Sequence, residues 1–373
     1  MIYFDNAATT KPSRSALDRA NVFNQENFYN PSTLYSGGLN CAKEIKTSKE
    51  SLLKNIGAIN HELIFTSCGS ESDNMAIFCS VKRGTFVTCK GEHSAVYKSF
   101  LELKNRGLNV EFIDLNPDGT VNVDKLLAFA KTNKIDFLSI VHVNNETGGI
   151  NDVNYIGKKI KEINAKTTFH VDGVQSYGKL QYKLGKEIDL YSISAHKING
   201  LKGVGALIRK KGVNLSPLIF GGGQENGLRS GTENVFGIKV FEYTAEEKYS
   251  NLKDNFEKVS KIKEYVKNNL DKDNIITISG ENSSPYILTV SAVGLRGEVV
   301  MHTLETEGVI IGNGSACSSK NRYSRVIEAC GYSSDVLDGV IRISFSTEST
   351  ISEAEILVEK LNANVKKLKG ILS

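Results

Sequence analysis

Two runs decide how this chain is read: Phe169-His170-Val171-Asp172, and the apolar stretch 188–193 followed directly by Ser194-Ala195-His196-Lys197. Each has the length of a strand and closes on a polar side chain. As parallel strands of one α/β sheet they would share a rim at their carboxyl ends, where open sheets of this kind bind ligands. An acid, Asp172, and an amine, Lys197, would then face one crevice.

Outward from these runs, β-rich segments at 63–66, 85–88, 110–113, 137–143, 168–171, 190–193 and 205–208 alternate with helical ones. That rhythm predicts a mostly parallel sheet with helices on its faces. Between 240 and 270 the residues Phe256, Val259, Ile262, Val266 and Leu270 share one helical face, which predicts a long amphipathic stretch joining two domains. Beyond it, 286–290, 309–311 and 340–344 read as strands and 297–306 and 352–368 as helices, giving a smaller α/β unit. A length of 373 residues exceeds the usual limit of one core and agrees with two domains.

Composition narrows the function classes. Charged residues make up 24% of the chain and hydrophobic ones 40%, an ordinary globular balance. The net charge of +4 is spread over interleaved lysines and acids, with no basic block of the kind that binds nucleic acid. Neither a signal-type amino terminus nor a membrane-length apolar run is present, so a cytoplasmic location without membrane attachment is expected. The six cysteines form no CxxC or Cys/His cluster, which argues for reduced thiols and no metal site.

Lys197 opposite Asp172 suits pyridoxal phosphate, whose aldehyde needs a lysine for a Schiff base and whose ring nitrogen needs a carboxylate to hold a proton. Other segments extend that site. Thr66-Ser67-Cys68-Gly69-Ser70-Glu71-Ser72-Asp73 turns from a strand into a helix whose start has the capping-box form Ser70-x-x-Asp73, and the free N–H groups there would hold a phosphate. His93, at a loop-to-helix start, is placed to stack on a pyridine ring and to move protons, or simply to cap the helix. Asn144 and Asn145 put amides at another strand end. The run from Gly221 to Thr232 reads as an ordered polar loop reaching a ligand or a second subunit. Arg342, in an apolar strand, suits bidentate capture of an amino-acid carboxylate or a structural ion pair. Cys317, in the small-residue loop Gly314-Ser315-Ala316-Cys317-Ser318-Ser319, points to sulfur transfer.

In these motifs, together with Tyr3-Phe4-Asp5-Asn6-Ala7-Ala8-Thr9-Thr10, Asn30-Pro31-Ser32, Ser72-Asp73-Asn74, Asp172-x-x-Gln175-Ser176 and Arg229-Ser230-Gly231-Thr232, the chain resembles the NifS/IscS-type cysteine desulfurases of the class V aminotransferase group. The resemblance implies a fold-type I pyridoxal-phosphate enzyme, with a large domain at 15–251 and a small one made of 1–14 and 252–373. It implies a homodimer that converts L-cysteine to L-alanine and passes sulfur to an acceptor, an iron–sulfur scaffold or a tRNA-thiolation enzyme. Lys197 would carry the cofactor, Asp172 would pair with its ring nitrogen and His93 would lie over the ring. Asn145 and Gln175 would meet ring substituents, with Asn145 also near the substrate. Gly69, Ser70, Ser194 and His196 would bind the phosphate, and Thr232 would reach the neighbouring subunit's phosphate. Arg342 would hold the substrate carboxylate, and Cys317 would be the nucleophile that becomes a persulfide. The chain departs from the family where it has Cys68 and Ala195 for glycine, Asn199-Gly200-Leu201 for Tyr-Gly-Pro, Asn226 for arginine, Tyr35 for histidine and Leu39 for arginine. Its carboxyl-terminal extension is expected to be short or absent. Two alternatives remain: a class V aminotransferase or lyase that does not use Cys317, and a weakly active sulfur-relay subunit.

Overall fold

The computed structural model describes residues 1–313 and 322–372. Its strands, in chain order, are β1 (Ile2–Phe4), β2 (His61–Thr66), β3 (Thr85–Cys89), β4 (Asn109–Ile113), β5 (Phe137–Val141), β6 (Thr168–Asp172), β7 (Leu190–Ser194), β8 (Gly205–Lys210), β9 (Ile275–Thr277), β10 (Ile287–Ala292), β11 (Val309–Asn313) and β12 (Val340–Ser344). One sheet has the order β2-β8-β7-β6-β5-β3-β4 and the other β1-β11-β12-β10-β9. In the first, β3 runs parallel to β4 and β5, β5 to β6 and β6 to β7, while β8 runs against β7 and β2. The mostly parallel sheet expected from the sequence is therefore present. Every residue of β5 and β7 is buried, because helices cover both faces and a continuous apolar run is what such a strand requires.

Register sets the site. Asp172 stands opposite Val141 on one side and Ser192 on the other, so β5 and β6 end level, β7 runs two residues further to Ser194, and all three release their chains at the same edge of the sheet. β5 stops at Val141, two residues short of the expected 143. The reason lies in Asn144, whose Oδ1 accepts from the N–H groups of Glu146 and Thr147 and builds a turn that folds Val143 back onto Ile150.

The single amphipathic stretch expected over 240–270 is two helices, Val235–Ser250 and Leu252–Asn269. At the junction the Asn251 side-chain amide donates to the Glu247 carbonyl at 3.3 Å, competing with the helix's own ladder. The break separates two burial tasks. Ile238, Phe241 and Ala245 pack into the core of the seven-stranded sheet, while Val259, Ile262 and Val266 pack into that of the five-stranded one.

Candidate active site

β6 delivers Asp172 to the rim, where Oδ1 accepts the Val174 N–H at 3.0 Å. Burial pushes this carboxyl up to about 6, against the Val174 hydrogen bond and the Lys197 charge, which pull it down. β7 delivers Ser194, whose Oγ is buried without a hydrogen-bond partner. The tight turn Ala195–Lys197 follows, and it swings Lys197 inward so that Nζ donates to the carbonyls of Ala7 at 2.6 Å and Ala8 at 2.8 Å. His196 meets Thr9 Oγ1 through Nδ1 at 3.1 Å; burial, with the charges of Lys197, Lys179 and Lys202, holds it down at about 4 and so neutral.

The helix Gly69–Ser80 begins after β2, and here the expected capping box is not formed. Its N-cap is Cys68, no side chain caps its first turn, and Glu71 instead reaches back to accept the Ser67 N–H at 2.8 Å. Ser70 and the backbone of the first turn are left facing the cavity, the arrangement that suits an anion. Gly69 is needed for close approach, since a Cβ there would stand 2.8 Å from the Val174 side chain. Asp73 lies one helical turn beyond Gly69 and so shares its inward face; the pattern that made it look like a cap residue carried no information about which face the sheet covers. It is buried, its Oδ1 has no hydrogen-bond partner, and burial with the neighbouring Asp172 pushes it well above the carboxylate range.

His93 is both a cap and a cavity residue. It precedes the helix Ser94–Asn105, and its Nδ1 accepts the Ala95 N–H at 3.2 Å while the ring lines the cavity. Burial and then the charges of Lys197, Arg325 and Arg342 hold it at about 4. Donor atoms of Asp73, His93 and Asp172 all lie within 4.8 Å of one another.

The opposite wall comes from the β5 exit and β12. Arg342 donates through Nη1 to the Asn145 carbonyl and through Nη2 to Asp5 Oδ1, both at 2.9 Å, so the structural ion pair is real. Its Nε and the Asn145 Oδ1 nevertheless stay buried and unpartnered. Gln175 donates to the Ala7 carbonyl at 2.9 Å and accepts from the buried Lys179 at 2.8 Å. Asp5, Lys179 and the carbonyls of Ala7 and Ala8 escaped the reading of the sequence. For Asp5, Ala7 and Ala8 the motif from Tyr3 to Thr10 is the only signal, and it says nothing of what its backbone holds; Lys179, four residues past Gln175, carries no signal of its own.

Lys197, Asp172, His93, Asp73, Ser194, His196, Gln175, Asn145 and Arg342 line one cavity of ≈ 390 Å³, a volume in the range of small-molecule sites, with Asp5 and Lys179 behind its wall. Pyridoxal phosphate fits the donor set: an amine, a carboxyl beneath it, an uncapped helix start beside the unpartnered Ser194 Oγ, and an amide oxygen without a partner. Thr232 is exposed and lies outside the residues that line the cavity. Cys317 lies outside the described residues. Two departures from the resembled family have a physical reason: Asn199 and Asn226 have φ of 71° and 57°, a left-handed conformation that asparagine tolerates better than most side chains.

A family model described as aminotransferase class-V matches residues 2–357. A cysteine desulfurase of Nostoc sp. is 32% identical over 380 aligned residues, which cover 100% of this chain and 94% of that one. A cysteine desulfurase IscS of Anaeromyxobacter sp. is 35% identical, covering 99% and 93%. Among solved structures, one titled NifS-like protein superposes with a TM-score of 0.90 at 30% identity, covering 98% of this chain and 99% of its own.

Proposed function

The chain belongs to the class-V aminotransferase family, and from that premise we propose that it is a pyridoxal-phosphate-dependent cysteine desulfurase converting L-cysteine to L-alanine. The observation that carries the reading is the convergence of Lys197, Asp172 and unpartnered buried atoms of Ser194, Asn145 and Arg342 on one cavity. When bound, pyridoxal phosphate supplies an aldehyde for the lysine and a ring that takes up the electron pair left at the substrate's α-carbon.

The protein's own groups do the rest. Lys197 would hold the cofactor through its aldehyde, and its free amine would move the substrate's α-proton. Asp172 keeps a proton on the ring nitrogen, which requires its carboxylate to be charged. The first-turn N–H groups from Gly69 and Ser70, with Ser194 and His196, bind phosphate; Gln175 and Asn145 orient the ring. Arg342 has an unpartnered Nε to offer the substrate carboxylate, and Asn145 lies beside it. His93, held neutral at the cavity wall, would carry a proton to or from the substrate sulfur. Cys317 would attack the substrate sulfur as thiolate: the S–S bond forms as the substrate Cβ–S bond breaks, its electron pair stays with the carbon, which is protonated on the way to alanine, and the persulfide on Cys317 supplies sulfur to an iron–sulfur scaffold or a tRNA-thiolation enzyme.

The same reading takes 15–251 as the large domain and 1–14 with 252–373 as the small one. It places the enzyme in the cytoplasm as a homodimer, in which exposed Thr232 completes the partner's phosphate site; exposed Phe220 in the same loop, and Leu34, Tyr35 and Leu39, are apolar groups that a second subunit would cover. No helix among the described residues is long and apolar enough to cross a membrane. The test is to supply L-cysteine to the reconstituted protein and measure alanine and sulfide, and separately to map the pyridoxyl group fixed by borohydride. Equal alanine and sulfide under a reductant, with the label on Lys197, are expected; no alanine, or a label on another lysine, refutes the assignment.

A further inference from the structure

Residues 90–93 form the turn that leads from β3 into the helix Ser94–Asn105 and places His93 against the cavity. Three contacts within the chain's first half already fix it: Lys90 N–H to the Ile113 carbonyl at 2.9 Å, the Gly91 carbonyl to Asn144 Nδ2 at 2.9 Å, and Glu92 Oε1 to the Val141 N–H at 2.9 Å. A fourth comes from far along the chain. Arg325, first residue of the helix Arg325–Ala329, donates through Nη1 to the Lys90 carbonyl and through Nη2 to the Glu92 carbonyl at 2.5 Å. Its guanidinium carbon lies 3.7 Å from the centroid of the Tyr97 ring, one turn into the His93 helix.

A planar cation with a fixed fork can bridge two carbonyls that flank one glycine while stacking on a ring; a lysine ammonium cannot do both. No carboxylate lies within ion-pair distance of Arg325 among the described residues, so its charge is not cancelled by a neighbour in contact. The groups that face His93 are the cations Lys197, Arg325 and Arg342 and the carboxyls Asp172 and Asp73. Glu92, directly before it, is fully buried and raised to about 8 by burial, so it adds no charge at neutral pH. Lys197 and Arg342 line the cavity and would meet cofactor and substrate there, whereas Arg325 is not among the residues that line it.

We infer that Arg325 is a positioning residue for His93: it anchors the turn 90–92 through two carbonyls and thereby holds the His93 ring at the cavity wall with Nδ1 turned to the Ala95 amide. Nδ1 then accepts, so the single ring proton sits on Nε2 and the ring is held neutral in the tautomer that can present an N–H to the cavity. The functional half of this inference rests on the role proposed for His93 above; the geometric half does not.

The test is NMR titration of the histidine rings in the cofactor-free protein, comparing the native chain with Arg325→Met and Arg325→Lys. His142, His170 and His196, which Arg325 does not face, are internal controls for folding. In Arg325→Met the His93 midpoint should rise by about one unit, as expected when a nearby like charge is removed, with the three controls unmoved. Arg325→Lys should restore the midpoint but not the anchoring, so the Ala95 amide exchanges faster than in the native protein. In the reconstituted enzyme, Arg325→Met should shift the acid limb of kcat upward with the KM for L-cysteine unchanged. A His93 midpoint that stays put in a folded Arg325→Met protein overturns the inference. Should that variant not fold, native Ala95 exchange in Arg325→Lys overturns it. Absence of desulfuration with the NMR shifts intact would instead count against the function proposed for the site.

Discussion

Asp172→Asn should make the cofactor-free protein more stable at neutral pH while removing its ability to use the cofactor. The buried carboxyl has its midpoint raised from 3.8 to about 6. A shift of roughly two units corresponds to about 3 kcal/mol of difference between its protonated and ionised states. The sign follows from linkage: because the folded state holds the proton more tightly than the unfolded chain, the associated stability is fully present below 3.8 and is lost as pH rises through about 6. Above that, the ionised carboxylate weighs against the fold. Asparagine keeps an oxygen for the Val174 N–H and carries no charge, and it also relieves the neighbouring Asp73 of repulsion. Urea unfolding of the two cofactor-free proteins should therefore show the variant ahead by about 3 kcal/mol at pH 7.5, with most of that gap gone at pH 4. With saturating pyridoxal phosphate the order should reverse, since only the native carboxylate pairs with a protonated ring nitrogen. A variant no more stable than the native chain at pH 7.5, or a gap that does not change between the two pH values, would refute the reasoning.

Two further outcomes follow from the same geometry. Arg342→Ala should raise the KM for L-cysteine about 10- to 100-fold, the cost of a charge-assisted contact, and leave cofactor affinity nearly unchanged; a loss of cofactor or of folding without a substrate defect would mean that its pairing with Asp5 is its whole role. Cys317→Ser should bind pyridoxal phosphate and be labelled at Lys197 like the native protein, yet form neither alanine nor persulfide at an appreciable rate, because a serine hydroxyl is far less acidic than a thiol. Near-native alanine formation in that variant would move the assignment to a lyase of the same fold that does not use the thiol.

Much of the architecture was legible in the sequence because its signals are local. β6 and β7 are apolar runs that stop on Asp172 and on Ser194-Ala195-His196-Lys197, and a strand's last residue must lie at the sheet's rim whatever the rest of the chain does. The break at Asn251 was missed because the helical spacing of apolar residues runs on past it; a single side-chain amide turned toward its own helix ends the ladder without disturbing the pattern. Asp73 was misread for a related reason. Ser-x-x-Asp is a capping pattern only if both side chains stay at the helix end, and here the sheet covers that face and draws Asp73 inward, against Asp172.

The sequence by itself determined which chemical groups are present and that several of them stand at strand ends: the amine, the acid, the amides and a guanidinium in an apolar strand. Only the tertiary structure decided their electrostatic state and their partners. Asp5 meets Arg342 across 337 residues, the Ala7 and Ala8 carbonyls receive Lys197 from 190 and 189 residues away, and Arg325 reaches Lys90 across 235. No local pattern encodes such pairings, because they arise from where two sheets come together. The same burial that raises Asp172 and lowers His93 also leaves Ser194 Oγ, Asn145 Oδ1 and Arg342 Nε without partners. A buried polar group without a partner is costly, and a ligand that supplies those hydrogen bonds recovers that cost. Composition and spacing cannot show this, since desolvation is a property of the packed volume around an atom rather than of its place in the chain.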